Sequence, residues 1–148
     1  MKTSASTRPP KQYLVALGIL ATGLFVSAAI VYSHDADSAP PQLASVAAAD
    51  FERYLAAETP TIIDVRTATE FAAGHLPGAI NIDSAAPDFA DMLARLNRRE
   101  EYAIYCRSGN RSGEALALMR SLGFQDVRDL SGGIKHWLVT GRDACTNC

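Results

Sequence analysis

Cysteine is scarce in this chain: there are three in 148 residues, at positions 106, 145 and 148. That is too few, and too unevenly placed, for a disulfide framework. An excess of one charge is also missing. Lys and Arg number 14 against 16 Asp and Glu, a net charge of −2, so there is no electrostatic footprint for nucleic acid and no such partner is expected. No repeat of fixed period occurs, which excludes solenoid and propeller architectures. A second pair of metal-ligating residues is lacking as well. Cys145-Thr146-Asn147-Cys148 has a ligand-like spacing, but a structural zinc site takes four ligands, so no metal is expected. Nor does this pair sit between a strand and a helix, as a thioredoxin motif would.

Acidic residues are absent from the first 34 positions, where Lys2, Arg8 and Lys11 precede a charge-free run of twenty residues, Tyr13 to Tyr32. A secretory h-region is ~7–15 residues long, whereas a spanning helix needs ~20. With basic residues before the run, and His34, Asp35 and Asp37 after it, the positive-inside rule places the remainder outside the cytoplasm. Residues 1–32 are therefore expected to be a membrane anchor, the chain facing the periplasm or cell exterior. Val26-Ser27-Ala28 offers a small-residue cleavage site, and removal there would give a secreted form instead. Residues 33–42, with Pro40 and Pro41, read as a linker. Residues 43–142 read as one folded domain, and 48% apolar content is enough for a real core. Residues 143–148 read as a flexible tail.

Within the domain, short apolar runs alternate with helical patterns. Ser45 is expected to cap a helix from Val46 to Ala57, with Phe51 and Leu55 on its apolar side. Thr61 to Val65 is a short β-branched run bounded by turn residues, and Thr67 to Ala73 a brief helix stopped by Gly74. Ala79 to Ile82 reads as a strand, and Pro87 opens a helix through Leu96. Tyr102 to Tyr105 and Val127 to Leu130 read as further strands. Ser112 to Leu122 reads as a helix, and Gly132-Gly133 precedes a closing one through Trp137. The alternation predicts an α/β fold with a central parallel sheet covered by helices on both faces. Sites in such sheets lie at the carboxyl ends of strands.

Cys106 falls at such an end. The stretch Tyr102-Ala103-Ile104-Tyr105-Cys106-Arg107-Ser108-Gly109-Asn110-Arg111-Ser112-Gly113 contains no acid and leads into a helix. Loop N–H groups and a helix N-terminus converging on one point make an anion site. A cysteine there has a stabilised thiolate and becomes a nucleophile at neutral pH. Arg107 and Arg111 add positive charge, and Gly109 frees the backbone where the loop curls.

Taken together these residues resemble a rhodanese domain. Asp64-Val65-Arg66, Glu70-Phe71 and Gly74-His75-Leu76-Pro77-Gly78-Ala79 are similar to its opening motif. Cys106-Arg107-Ser108-Gly109-Asn110-Arg111-Ser112 is similar to its active-site loop. Leu130-Ser131-Gly132-Gly133 with Trp137 is similar to its closing motif. The order of the motifs, over Leu43 to Arg142, makes the likeness more specific than any one of them. The resemblance implies a thiosulfate sulfurtransferase. In that family the loop cysteine takes sulfane sulfur from a donor as a persulfide and passes it to a thiophilic acceptor, cyanide or a thiol, with no cofactor.

On that reading Cys106 is the nucleophile and persulfide carrier. The N–H groups of Arg107, Ser108, Gly109, Asn110 and Arg111 cradle the terminal sulfur. Arg107 attracts an anionic donor, while Arg111 either does the same or folds back on Asp64 or Glu70 to brace the loop. Asp64 and Arg66 read as a supporting pair, and His75 as a turn histidine bonded to backbone. Two alternatives belong to other classes. One is a non-enzymatic persulfide carrier for a dedicated protein partner. The other is a phosphatase of the same fold, which needs a longer loop than the four residues between Cys106 and Arg111. For Cys145 and Cys148 two readings stand: an inert end, or a redox pair that forms a disulfide and resolves the persulfide.

Overall fold

The computed structural model of the protein describes residues 41–146 and 148. The expected anchor at 13–32 lies outside them. Among the described residues no helix is long and apolar enough to cross a membrane.

Five parallel strands form one sheet: β1 (Gln42–Val46), β2 (Thr61–Asp64), β3 (Ile80–Asn81), β4 (Glu101–Tyr105) and β5 (Asp126–Leu130). Their order across the sheet is β1-β5-β4-β2-β3. The helices are α1 (Ala48–Glu58), α2 (Ala68–Ala72), α3 (Phe89–Ala94), α4 (Asn110–Ser121) and α5 (Gly133–Val139). Side chains alternate across a pleated strand, and β4 shows it in the middle of the sheet. Tyr102, Ile104 and the following Cys106 join one buried cluster, with Leu93 of α3 and Ala115, Leu116 and Met119 of α4. Ala103 and Tyr105 join the other, with Phe51 of α1 and Ile134 and Trp137 of α5. Both faces are thus covered, which is why β4 carries no polar side chain between Tyr102 and Tyr105. Edge-on aromatic contacts tie each layer: Tyr102 with Phe124 at 5.4 Å and Phe51 with Trp137 at 6.0 Å between ring centres.

The start of the domain differs from the sequence reading. Gln42, expected in the linker, opens β1, and Ser45 lies within that strand rather than capping a helix. α1 begins at Ala48 after Ala47, which supplies no side-chain cap. β1 is an edge strand with mostly exposed side chains, so neither alternation nor a hydrophobic run marks it. What holds it is its ladder with β5, Gln42↔Asp126 through Val46↔Leu130, and the Arg120 guanidinium donating to the Leu43 carbonyl at 2.8 Å.

The end of the domain differs too. The tail expected to be flexible is docked. The Trp137 indole N–H donates to the Asp143 carbonyl at 2.9 Å, and Arg142 pairs with Glu52 at 2.7 Å. Cys145 and His75 exchange backbone hydrogen bonds, each 2.9 Å, as an antiparallel bridge.

Candidate active site

β4 ends at Tyr105 and α4 begins at Asn110, so Cys106 to Gly109 must turn the chain within four residues. Gly109, the residue before the helix, takes φ 97°, a left-handed conformation that a side chain would strain. The turn brings its N–H to 3.1 Å from the Cys106 sulfur, and the Ser112 hydroxyl, one helical turn further on, reaches the same atom at 3.4 Å. Cys106 is fully buried. Burial alone pushes its thiol upward. The Ser112 hydroxyl and the N–H groups of Ser112, Ser108 and Gly109 outweigh that and hold it below the usual cysteine value. The positive end of α4 acts in the same direction. The site therefore favours the thiolate form of Cys106 in a nest of donors, which suits a nucleophile together with a receptor for negative charge.

The loop is clamped from the far side by the start of α5. The Ile134 N–H donates to the Cys106 carbonyl at 2.9 Å, and the Lys135 N–H to the Arg107 carbonyl at 3.1 Å. This close approach depends on Gly133. A Cβ there would stand 2.4 Å from the Cys106 carbonyl oxygen and 2.5 Å from the Arg107 carbonyl carbon, at a φ of +60°. The glycine pair after β5 is thus part of the site's floor, a role its sequence position alone does not reveal.

Of the two loop arginines, Arg111 folds back. Its guanidinium donates to both carboxylate oxygens of Glu70, at 2.8 and 2.9 Å. Glu70 also accepts from the backbone N–H of Thr67, closing a capping box on α2. The bonds from Arg111, against a smaller cost of burial and with help from Thr67, lower the Glu70 carboxyl to about 2. Arg107, Ser108 and Asn110 are exposed around the loop. Arg107 is thereby left at the rim, where an anion would meet it first.

Asp64 and Arg66 form a buried pair at the end of β2. The Arg66 guanidinium donates to Asp64 at 2.5 Å and to the Gly74 carbonyl at 2.6 Å. They pin the β2 end to the turn before His75. His75 is buried and hydrogen-bonds through Nδ1 to the Phe71 carbonyl at 3.0 Å. Cys145 and Cys148 are joined as a disulfide beside it.

Two residues near the sulfur carry no assignment from the sequence. Ser112 was visible only as the serine after Arg111, and its approach to the thiol follows from where α4 starts. Asp129, in β5 beside Ser45 and Ile104, takes the α4 side of the sheet as Val127 does. It is buried, and its Oδ1 has no partner among the described residues. Beside the loop, a groove of ≈ 370 Å³ is lined by Ser84, Ala85, Phe89, Arg111, Glu114 and Leu118.

A family model described as the rhodanese-like domain matches residues 47–140. Thiosulfate sulfurtransferase GlpE of Pseudomonas putida is 35% identical over 83 residues, 56% of this chain and 74% of its own length. The tRNA uridine(34) hydroxylase of Acaryochloris marina is 37% identical over 93 residues. The probable adenylyltransferase/sulfurtransferase MoeZ of Mycobacterium tuberculosis is 38% identical over 76. This chain spans 30% of the length of the hydroxylase and 19% of that of MoeZ. Among solved structures, a rhodanese-related protein from Thermoplasma volcanium superposes with a TM-score of 0.62 at 31% identity, covering 70% of this chain and 98% of that one.

Proposed function

This chain belongs to the rhodanese-like domain family, and from that premise we propose that it is a sulfurtransferase working through a persulfide on Cys106. The single observation that carries the reading is the loop that holds the Cys106 sulfur between the Gly109 N–H and the Ser112 hydroxyl with its thiol depressed. The kinship with thiosulfate sulfurtransferases supports the same class of chemistry.

The thiolate attacks the outer, sulfane sulfur of a donor such as thiosulfate. The sulfur–sulfur bond of the donor breaks, sulfite leaves with the electron pair, and a Cys106 persulfide remains. Loop N–H groups suited to a thiolate also suit the negatively charged outer sulfur. A thiophilic acceptor then takes that sulfur: cyanide leaves as thiocyanate, or a thiolate leaves as its own persulfide. Either way the Cys106 thiolate is regenerated. Arg107 at the rim draws in the anionic donor, and Arg111, held by Glu70, keeps the loop in shape. No step calls for a metal or organic cofactor.

The paired state of Arg111 also bears on the phosphatase alternative. An arginine that grips a phosphate has to point its guanidinium into the loop, whereas this one is spent on Glu70. We further propose that the domain works outside the cytoplasm, tethered by residues 13–32, on the strength of that run and the basic residues before it. Recovery of the full-length chain in a soluble cytoplasmic fraction would refute the location.

The chemistry is tested by intact mass after incubation with thiosulfate. The expected result is a gain of one sulfur atom on the wild type, removed by cyanide, and none on Cys106→Ser. Thiosulfate:cyanide turnover near wild type in Cys106→Ser would overturn the assignment. A persulfide that forms but resists cyanide, and leaves only to a protein acceptor, would favour the dedicated carrier instead.

A further inference from the structure

We propose that His75, Cys145 and Cys148, once the cysteine pair is reduced, form a binding site for one thiophilic d10 cation, of the Zn(II) or Cu(I) class. The chain spacing of the two cysteines supplied only half of a site. The fold supplies the missing ligand by laying the tail against the turn that carries His75. The three ligand atoms lie within 4.8 Å of one another, and the His75 Nε2 stands 3.9 Å from the Cys148 sulfur. Two sulfurs and a nitrogen around a tetrahedral zinc are separated by about 3.5–3.8 Å, given bonds of ~2.3 Å to sulfur and ~2.0 Å to nitrogen. The His75 Nε2 already stands at about that separation from the Cys148 sulfur, and opening the disulfide lets the two sulfurs part to theirs.

The histidine is prepared as a ligand in two further respects. Its Nδ1 faces the Phe71 carbonyl at 3.0 Å, a group that can only accept, so Nδ1 carries the proton and the Nε2 lone pair is free toward the sulfurs. A backbone carbonyl behind the imidazole is how metal-binding histidines are commonly oriented. Its ring also stacks on Phe71, 3.8 Å between centres and 11° from parallel, which fixes the plane in which Nε2 points. The tail is held in register by the two backbone bonds between Cys145 and His75, and upstream by Trp137 and Arg142. His75 is buried, Cys145 half-buried and Cys148 exposed, so an ion can enter from solvent on the Cys148 side. Two thiolates and an imidazole select a soft ion over Mg or Ca.

The state of the pair gates the site. As a disulfide the sulfurs offer no thiolate. A phosphine supplies the two electrons that break the Cys145–Cys148 bond; it leaves as its oxide, with oxygen taken from water, and the water's two protons complete the two cysteine thiols. Binding of the cation then displaces their two protons. Cys106 belongs to the buried cluster under α4, whereas Ala144, next to Cys145, packs against the cluster of α1 and α5 on the other face of the sheet.

The test uses the full chain, reduced with a phosphine and freed of it, with Zn2+ as the probe against a chromophoric chelator. The reduced wild type is expected to hold one equivalent and the oxidised protein none. Cys145→Ser/Cys148→Ser, which alters only the tail, should weaken binding at least tenfold, and His75→Gln should do so too. Cys106→Ser should bind as the wild type does. The proposal is overturned if the reduced wild type and the tail double variant bind alike. It is equally overturned if binding is lost in Cys106→Ser, since the ion would then sit on the catalytic thiol. His75→Gln binding at wild-type strength while its circular dichroism stays native would remove the third ligand and the site with it.

Discussion

Glu70 and Arg111, forty-one residues apart in the chain, meet through two nearly parallel hydrogen bonds of 2.8 and 2.9 Å. The contact joins the first turn of α2 to the first turn of α4. Arg111 immediately precedes Ser112, whose hydroxyl touches the reactive sulfur. A carboxylate that caps one helix thus sets the position of the other helix's N-terminus, and with it the donors around the thiol. Bidentate pairs of this kind fix geometry as well as energy.

The two loop arginines should therefore fail differently. Arg107→Ala is expected to raise KM for thiosulfate several-fold with little change in kcat, because it removes only attraction at the rim. Arg111→Ala is expected to lower kcat about tenfold as well, and to cost about 1 kcal/mol of stability, the pair being half-exposed. Steady-state kinetics of the two variants side by side, with urea denaturation, check this. Equal and negligible effects would mean that backbone alone recognises the donor and shapes the loop.

The same pair makes a pH prediction. The Glu70 carboxyl lies at about 2 in the folded protein, against an ordinary value of 4.5. A lowered acid stabilises the fold above its unfolded value and loses that contribution as pH falls toward its folded one. The Glu70 contribution is thus complete above about pH 4.5 and disappears between there and about pH 2. Glu70→Gln should be less stable than wild type at pH 6, and the difference should shrink through that window. Urea midpoints measured from pH 6 to pH 2.5 would show it, and a difference independent of pH would refute it.

Ser112→Ala removes the first of the donors that hold the Cys106 thiol down. The thiol should rise, so alkylation by iodoacetamide at pH 6 should slow several-fold and the rate profile should move to higher pH. At a pH high enough to ionise both thiols, the two proteins should converge. Superimposable profiles would assign the depressed thiol to the loop N–H groups alone.

How much of this was legible in the sequence depended on whether the signal was local. The strand from Tyr102 to Tyr105, the break at Cys106-Arg107-Ser108-Gly109 and the helix after it are each written in adjacent residues. The ends of the domain are not. β1 exists because Gln42 to Val46 find β5, eighty-odd residues later, and an exposed edge strand leaves no hydrophobic pattern of its own. The tail likewise looked like a loose end because Cys145 pairs with the backbone of a residue seventy positions earlier. Arg111 was readable as a brace or a donor clamp, and only the approach of α2 shows its guanidinium paired with Glu70.

Gly133 supplies the sharpest steric test. The atoms its added Cβ would meet are backbone atoms of the reactive loop, at 2.4 to 2.6 Å, so no rotamer change relieves them. A left-handed conformation also costs an L-residue about 1–2 kcal/mol. Gly133→Ala should lower Tm by several degrees and cut sulfur transfer at least tenfold by pushing the loop off its floor. Gly78→Ala is the control: its φ is +76° but nothing lies within 4 Å, so it should show the conformational cost without loss of turnover. Equal loss of turnover in the two variants would dismiss the close approach as the cause.

Asp129 poses the opposite problem, a carboxyl where the fold offers it little. Burial pushes it above the usual carboxylate range, and the nearby Ser45 hydroxyl draws it only partly back, the Ser112 proton being turned to Cys106. A raised acid contributes most below its unfolded value and costs stability as pH rises through the folded one. In the wild type that loss therefore begins near pH 4 and grows upward. Asp129→Asn keeps the shape, cannot ionise, and can still bond the two serine oxygens. Its stability relative to wild type should rise as pH climbs above about 4 and level once the pH passes the raised folded value. Chemical denaturation of the two proteins between pH 4 and pH 8 decides the matter. Curves that run parallel over that range would show that Asp129 finds its partner in water, and that its burial carries no penalty.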